Sequence, residues 1–302
     1  MIHSTSSRPI RLIRFVYHSN LRVYSGRCWP RIFLETQYRQ GSAIEPNQKL
    51  PSQSNMTSLT EELKKKALDL GFVAVGISKP CMLHDLPYGH VRQIKELVKP
   101  ADEMPSVKSV IIMVFHVWDD IFHTSLDPPE WHGYGLHSPD EKIESYFFGS
   151  AIMRNMAWEI VSFLQARGFE SKISFNIPLK TTAIKCGLGS QGKNTLLVTP
   201  TYGPRVNLVS VLTEAELDAD SPFEYDQCGD CQLCLTACPT KALEPYNLKI
   251  EHCMTYSAET PCTDDVPERV REMERKLIRR PTANTYIECS KCMDVCPIGR
   301  QA

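Results

Sequence analysis

The stretch Cys228-Gly-Asp-Cys231-Gln-Leu-Cys234-Leu-Thr-Ala-Cys238-Pro239 decides how the rest of the chain is read. Its spacing is C-x2-C-x2-C-x3-C-P. A second run, Cys289-Ser-Lys-Cys292-Met-Asp-Val-Cys296-Pro297, repeats the later part of that pattern. Cys253 lies between the two and stands as the displaced first cysteine of the second run. A short C-x2-C-x2-C loop lets one turn of chain offer three thiolates to the corners of a cubane, while the fourth comes from elsewhere. Two such sets suit two [4Fe-4S] clusters. Paired zinc ribbons also use C-x2-C pairs, but zinc sites seldom use the triple run closed by C-x3-C-P.

Composition bounds what surrounds this module. The chain has 302 residues and 12 cysteines; Cys28, Cys81, Cys186 and Cys262 lie outside the pattern. Disulfide frameworks belong to short secreted chains, and this one is long and lacks a secretory h-region. Metal binding in a reducing compartment is therefore expected, with a cytoplasmic location. No run of about 18 apolar residues occurs, so no membrane span is expected. The formal net charge is −1. Without a basic excess, nucleic acid is not expected as a partner, although tRNA stays open.

Charge is unevenly spread. Residues 1–55 carry eight Lys or Arg against Glu35 and Glu45, leaving the remainder near −7. This Arg-rich stretch reads as a leader outside the fold, either a transit peptide or an upstream start preceding initiation at Met56. Residues 56–220 read as one α/β domain and 221–302 as the cluster domain. Ser58-Leu-Thr-Glu61 is a capping box opening a helix whose apolar face is Leu59, Leu63, Ala67 and Leu70, with Gly71 as its stop. Phe72–Ile77, Val107–Phe115, Phe169–Phe175, Asn194–Val198 and Arg205–Thr213 read as strands. Glu144–Arg167 and Lys180–Cys186 read as helices, Asp119–Asp140 as a long loop, and acidic Glu214–Asp220 as a linker.

The second informative stretch is Cys186-Gly187-Leu188-Gly189-Ser190-Gln191-Gly192-Lys193-Asn194-Thr195. Glycines here can bring backbone N–H groups against a large ligand, or can simply cap a helix and turn the chain. It is not a Walker A loop, because a strand rather than a helix follows.

Together with the cysteine runs, this stretch and Thr199-Pro-Thr-Tyr202-Gly-Pro-Arg205-Val206 resemble the epoxyqueuosine reductase and reductive dehalogenase superfamily. The cysteine module itself resembles two-cluster ferredoxins, in which the fourth cysteine of each run serves the other cluster. That resemblance implies one cluster on Cys228, Cys231, Cys234 and Cys296, and the other on Cys238, Cys253, Cys289 and Cys292. Cys262 is the alternative to Cys253. The superfamily likeness implies a nitroreductase-like layered α/β core joined to the ferredoxin-like module. It also implies a cobalamin cradled by Gly187, Gly189, Gly192, Lys193, Asn194, Tyr202 and Arg205. A ferredoxin or flavodoxin would donate electrons, and a small-molecule electrophile, epoxide or organohalide, would be reduced.

The chain departs from that pattern. The Asp-Tyr-His triplet of epoxyqueuosine reductases is missing from the helix read at Glu144–Arg167. Tyr146 and Tyr134 remain as candidate proton donors, with Lys193 or Arg154 in support. His116, His123, His132 and His137 surround the long loop. A non-catalytic electron carrier or corrinoid-handling accessory protein is the rival reading.

Overall fold

In the computed structural model, which describes residues 58–91, 95–133 and 146–300, Ser58 caps the first helix. Its hydroxyl accepts the Glu61 N–H at 3.2 Å, and the Glu61 carboxylate accepts the Ser58 N–H at 3.0 Å. That reciprocal cap opens helix α1, Leu59–Asp69. Gly71, at φ +102°, turns the chain out of it.

The central sheet is antiparallel and four-stranded. Its strands are β1 (Ala74–Ser78), β2 (Ser109–His116), β3 (Ser171–Ser174) and β4 (Val206–Thr213), ordered β1-β2-β4-β3. Ile112 of β2 sits opposite Gly76 on one side and Ser210 on the other. Strand β2 is apolar almost throughout because both faces of the sheet are covered. Ile111, Met113 and Phe115 pack with Leu63 and Ala67 of α1 and with Met153, Ala157 and Ile160 of helix α2, Phe148–Gln165. Val110 and Ile112 point the other way, onto Leu83, Ile177 and Ala183. Alternate side chains of a strand face opposite sides, so one sequence run serves two cores.

Helix α3, Leu179–Lys185, lies close on β1. A Cβ on Gly76 would meet the Cβ of Cys186 at 2.4 Å. Burial raises the Cys186 thiol to about 12, which makes it a neutral core residue.

Three expectations change. The supposed helix from Glu144 starts at Phe148, after a short strand, Tyr146–Phe147. Within the supposed long loop, Asp120–His123 is a 3-10 turn and Thr124–Leu126 a strand. These strands join Arg279–Thr282 and Thr285–Ile287 of the cysteine module in a second four-stranded sheet. Thr124–Leu126 takes one of its partners, Thr285–Ile287, from the far end of the chain, so no local period announces it. The acidic stretch after β4 is no loose tether. Asp218 accepts from the Thr60 hydroxyl at 2.9 Å, and Asp220 accepts from Lys64 at 2.6 Å and from the Ile77 N–H at 2.8 Å. Among the described residues no helix is long and apolar enough to cross a membrane.

Candidate redox site

The cysteines gather around two cavities. Cys228, Cys231, Cys234 and Cys296 line one of about 60 Å³, together with Asn194, Val198 and Ile298. Cys238, Cys253, Cys289 and Cys292 line another of about 260 Å³. Each set joins cysteines from both halves of the module, so neither run encloses a cavity alone. Cys262 is exposed and borders neither. The 3-10 turn Ile250–His252 delivers Cys253 to the larger cavity.

The thiols are costly to ionise there. Burial raises Cys289 to about 11 and Cys292 to about 12, and neighbouring thiols add to the effect. Cys253 is raised too, again chiefly by burial. A cationic iron core offsets that cost, since ligating thiols give up their protons to the metal. Four thiol sulfurs about each cavity are a donor set that fits a [4Fe-4S] cluster. Backbone N–H groups of Lys193 and Ala242 point at Cys228 Sγ (3.4 Å) and Cys238 Sγ (3.3 Å), where they would temper sulfur charge.

The glycine-rich stretch supports this module from the side. Lys193 Nζ donates to the Gly229 carbonyl at 2.5 Å. Asn194 Nδ2 reaches the Cys292 carbonyl at 3.4 Å, and Asn194 borders both cysteine cavities. The Arg205 guanidinium donates to the carbonyls of Ile298 (3.1 Å), Met293 (3.0 Å) and Cys296 (2.8 Å). A Cβ on Gly187 would meet the Ser221 carbonyl at 2.6 Å, one on Gly189 the Val198 carbonyl at 2.1 Å, and one on Gly192 the Asn194 side chain at 2.5 Å. These glycines are therefore filled against by protein. Tyr202 stacks on His116 with ring centroids 4.3 Å apart. Of the expected cradle, Asn194 alone borders the larger cysteine cavity.

A further cavity of about 510 Å³ adjoins the larger one and shares Lys180, Leu196, Val206 and Asn207 with it. Its walls are mainly apolar, with Pro87, Leu97, Ile177, Pro178 and Leu208, while Lys95 and Glu259 bring charge. Lys180 donates to the Thr195 carbonyl at 3.0 Å. Its ammonium opens onto the cleft yet is ringed by protein, so desolvation lowers its pKa and Lys95 lowers it further. Among the described residues Asn207 Nδ2 is buried without a hydrogen-bond partner. An orphaned amide beside apolar walls fits a large ligand edged with amides, the chemistry of a corrin.

The remaining candidates scatter. Tyr146 lies in the short strand paired with Leu126, and Tyr134 and His137 fall outside the described residues. Arg154 stacks over Phe175 at 5.2 Å. His123 is buried at the cleft wall, where desolvation lowers its pKa. Sequence reading missed Lys95, Lys180, Asn207, Glu259 and Glu288. Each belongs to a different segment, and nothing local marks any of them.

Residues 227–299 match the 4Fe-4S double cluster binding domain. An epoxyqueuosine reductase of Atelocyanobacterium thalassa (isolate ALOHA) is 27% identical over 269 residues, covering 82% of this chain and 81% of that protein. The chain is similar to the epoxyqueuosine reductases along most of its length. The likeness extends to solved structures. An epoxyqueuosine reductase with a tRNA-Tyr epoxyqueuosine-modified stem loop superposes with TM-score 0.56 at 21% identity, covering 80% of this chain and 65% of that one. A reductive dehalogenase described as B12-dependent gives 0.51 at 15%, covering 83% and 34%. At those identities the solved structures speak for the mixed α/β fold. The expectation that nucleic acid is no partner is corrected by that complex, in which an epoxyqueuosine reductase is seen with a tRNA stem loop. The net charge misled because it averages over the whole chain, whereas binding depends on local surface.

Proposed function

We propose that the protein is an iron–sulfur reductase that uses cobalamin to reduce an epoxide carried on a tRNA nucleoside. The observation that carries this reading is the pair of adjoining cavities, one lined by the cysteines of a cluster site and the other, of about 510 Å³, sharing Lys180, Leu196, Val206 and Asn207 with it. The relatives named epoxyqueuosine reductase support the substrate class. The cleft lies on a core that we take as nitroreductase-like.

When bound, the clusters and cobalamin would supply single electrons and a low-potential cobalt centre for opening a C–O bond. The chain's own residues do the rest. Arg205 and Lys193 hold the cysteine loops against the core, which fixes the distance between the two cysteine sites. Apolar Leu196, Val206 and Leu208 exclude water from the cleft. Lys180 and Asn207 offer donors at the junction of its two parts. Electrons enter at the Cys228, Cys231, Cys234 and Cys296 site, where Leu233 and Tyr225 are exposed for a ferredoxin or flavodoxin.

The test is anaerobic reconstitution with iron, sulfide and cobalamin, followed by reaction with an epoxyqueuosine-modified tRNA stem loop and a low-potential reductant. Mass spectrometry should show the nucleoside losing one oxygen. Two cubane EPR signals without retained corrinoid, and an unchanged nucleoside, would favour an electron carrier instead.

A further inference from the structure

The helix Met254–Glu259 begins immediately after Cys253 and ends in the wall of the 510 Å³ cavity. Six residues of helix span about 9 Å. A cluster cysteine and a carboxyl group thus stand at the two ends of one short rod, and Cys253 feels the Glu259 charge. The far end is pinned. Arg271 donates to the carbonyls of Ser257 (2.5 Å), Thr260 (2.7 Å) and Thr263 (2.9 Å). The chain at Gly133 closes on it, for a Cβ there would lie 3.2 Å from the Glu259 carbonyl.

Charged and titratable groups reach Glu259 from several elements. Lys95 comes from the strand Lys95–Leu97, and Asp127 follows the strand Thr124–Leu126. Tyr286 and Glu288 come from the cysteine module, and Lys180 shares the cavity. Burial, reinforced by Asp127 and opposed by Lys95, raises the Glu259 carboxyl to about 7. An acid so poised changes protonation when a nearby charge changes.

We propose that Glu259 is the proton-loading residue of the cleft: it takes up a proton as the cluster on Cys238, Cys253, Cys289 and Cys292 gains an electron, and it passes that proton to the substrate during reduction. The electron comes from the external one-electron donor and the proton from water, so each loading adds one of each and leaves the site's charge unchanged. Two loadings supply two electrons and two protons. As the epoxide's C–O bonds break, both protons end on the released oxygen, which leaves as water, and the two carbons keep a double bond. The transfer to substrate rests on the reductase reading above; the loading does not.

The test is an EPR-monitored redox titration of the reconstituted whole chain from about pH 5.5 to pH 8.5, bracketing the acid's range. The midpoint potential of this cluster should fall as pH rises, toward a limit of about 59 mV per tenfold change in proton concentration. Glu259→Gln should flatten that slope with iron and sulfide content unchanged, and Glu259→Asp should restore it in a displaced pH window. A flat wild-type profile, or an undiminished slope in Glu259→Gln, would overturn the proposal. If Glu259→Gln fails to hold its cluster, Asp127→Asn decides the matter. Removing that negative charge should move the sloping region to lower pH, and an unmoved region counts against Glu259. Proton-coupled potentials without stem-loop turnover would sink the substrate reading and leave the loading intact.

Discussion

Cys253 and Cys262 are nine residues apart, and only one of them borders a cavity shared with three other cysteines. Cys253→Ala should lose about half of the reconstituted iron, and Cys262→Ala should lose none, by colorimetric iron analysis. Glu259 carries a prediction about stability. Its folded pKa lies above its unfolded one, so folding binds the proton. The stabilisation is fully present below the unfolded value near 4.5 and is lost as pH rises through about 7. In denaturant titrations, Glu259→Gln should gain on wild type between about pH 5 and pH 8. At this scale the cysteines were readable because ligand spacing is a covalent property of the chain. Glu259 was not, because its surroundings come from four separate segments.

Among the elements, Ser58–Asp69 was readable nearly to the residue, since a capping box and an apolar stripe are both local. Strand β2 was readable for a similar reason, being a continuous apolar run. The strand Thr124–Leu126 was hidden: three residues with Leu126 half-exposed show no periodicity, and their order comes from pairing with Thr285–Ile287. The loop Tyr202–Arg205 also acquires its role through another element. A Cβ on Gly203 would lie 2.0 Å from the Ile298 carbonyl, so the two backbones touch where Arg205 reaches the second cysteine run. Arg205→Ala leaves three carbonyls short of a charged donor and should cost about 2–3 kcal/mol. Chemical denaturation of the reconstituted protein should register that loss, together with faster bleaching of cluster absorbance.

On the scale of the molecule, Asn55–Ala302 forms one compact unit. Expressed alone, it should fold, bind both clusters and melt within a few degrees of the whole chain, as followed by calorimetry and iron content. Loss of soluble clustered protein would show that preceding residues contribute to the fold. The sequence alone marked the cysteine runs as cluster ligands and showed the alternation of helices and strands, both through spacing or periodicity along the chain. The division of the cysteines into two sets and the likeness to epoxyqueuosine reductases came from resemblance to known families. Tertiary structure alone decided that Lys193 and Arg205 clamp the cysteine loops, that the acidic stretch binds α1 to the sheet, and that Glu259 and Lys95 line one cavity beside a cysteine site. Those facts concern side chains far apart in sequence, and their chemistry exists only once packing has brought them together and removed the water between them.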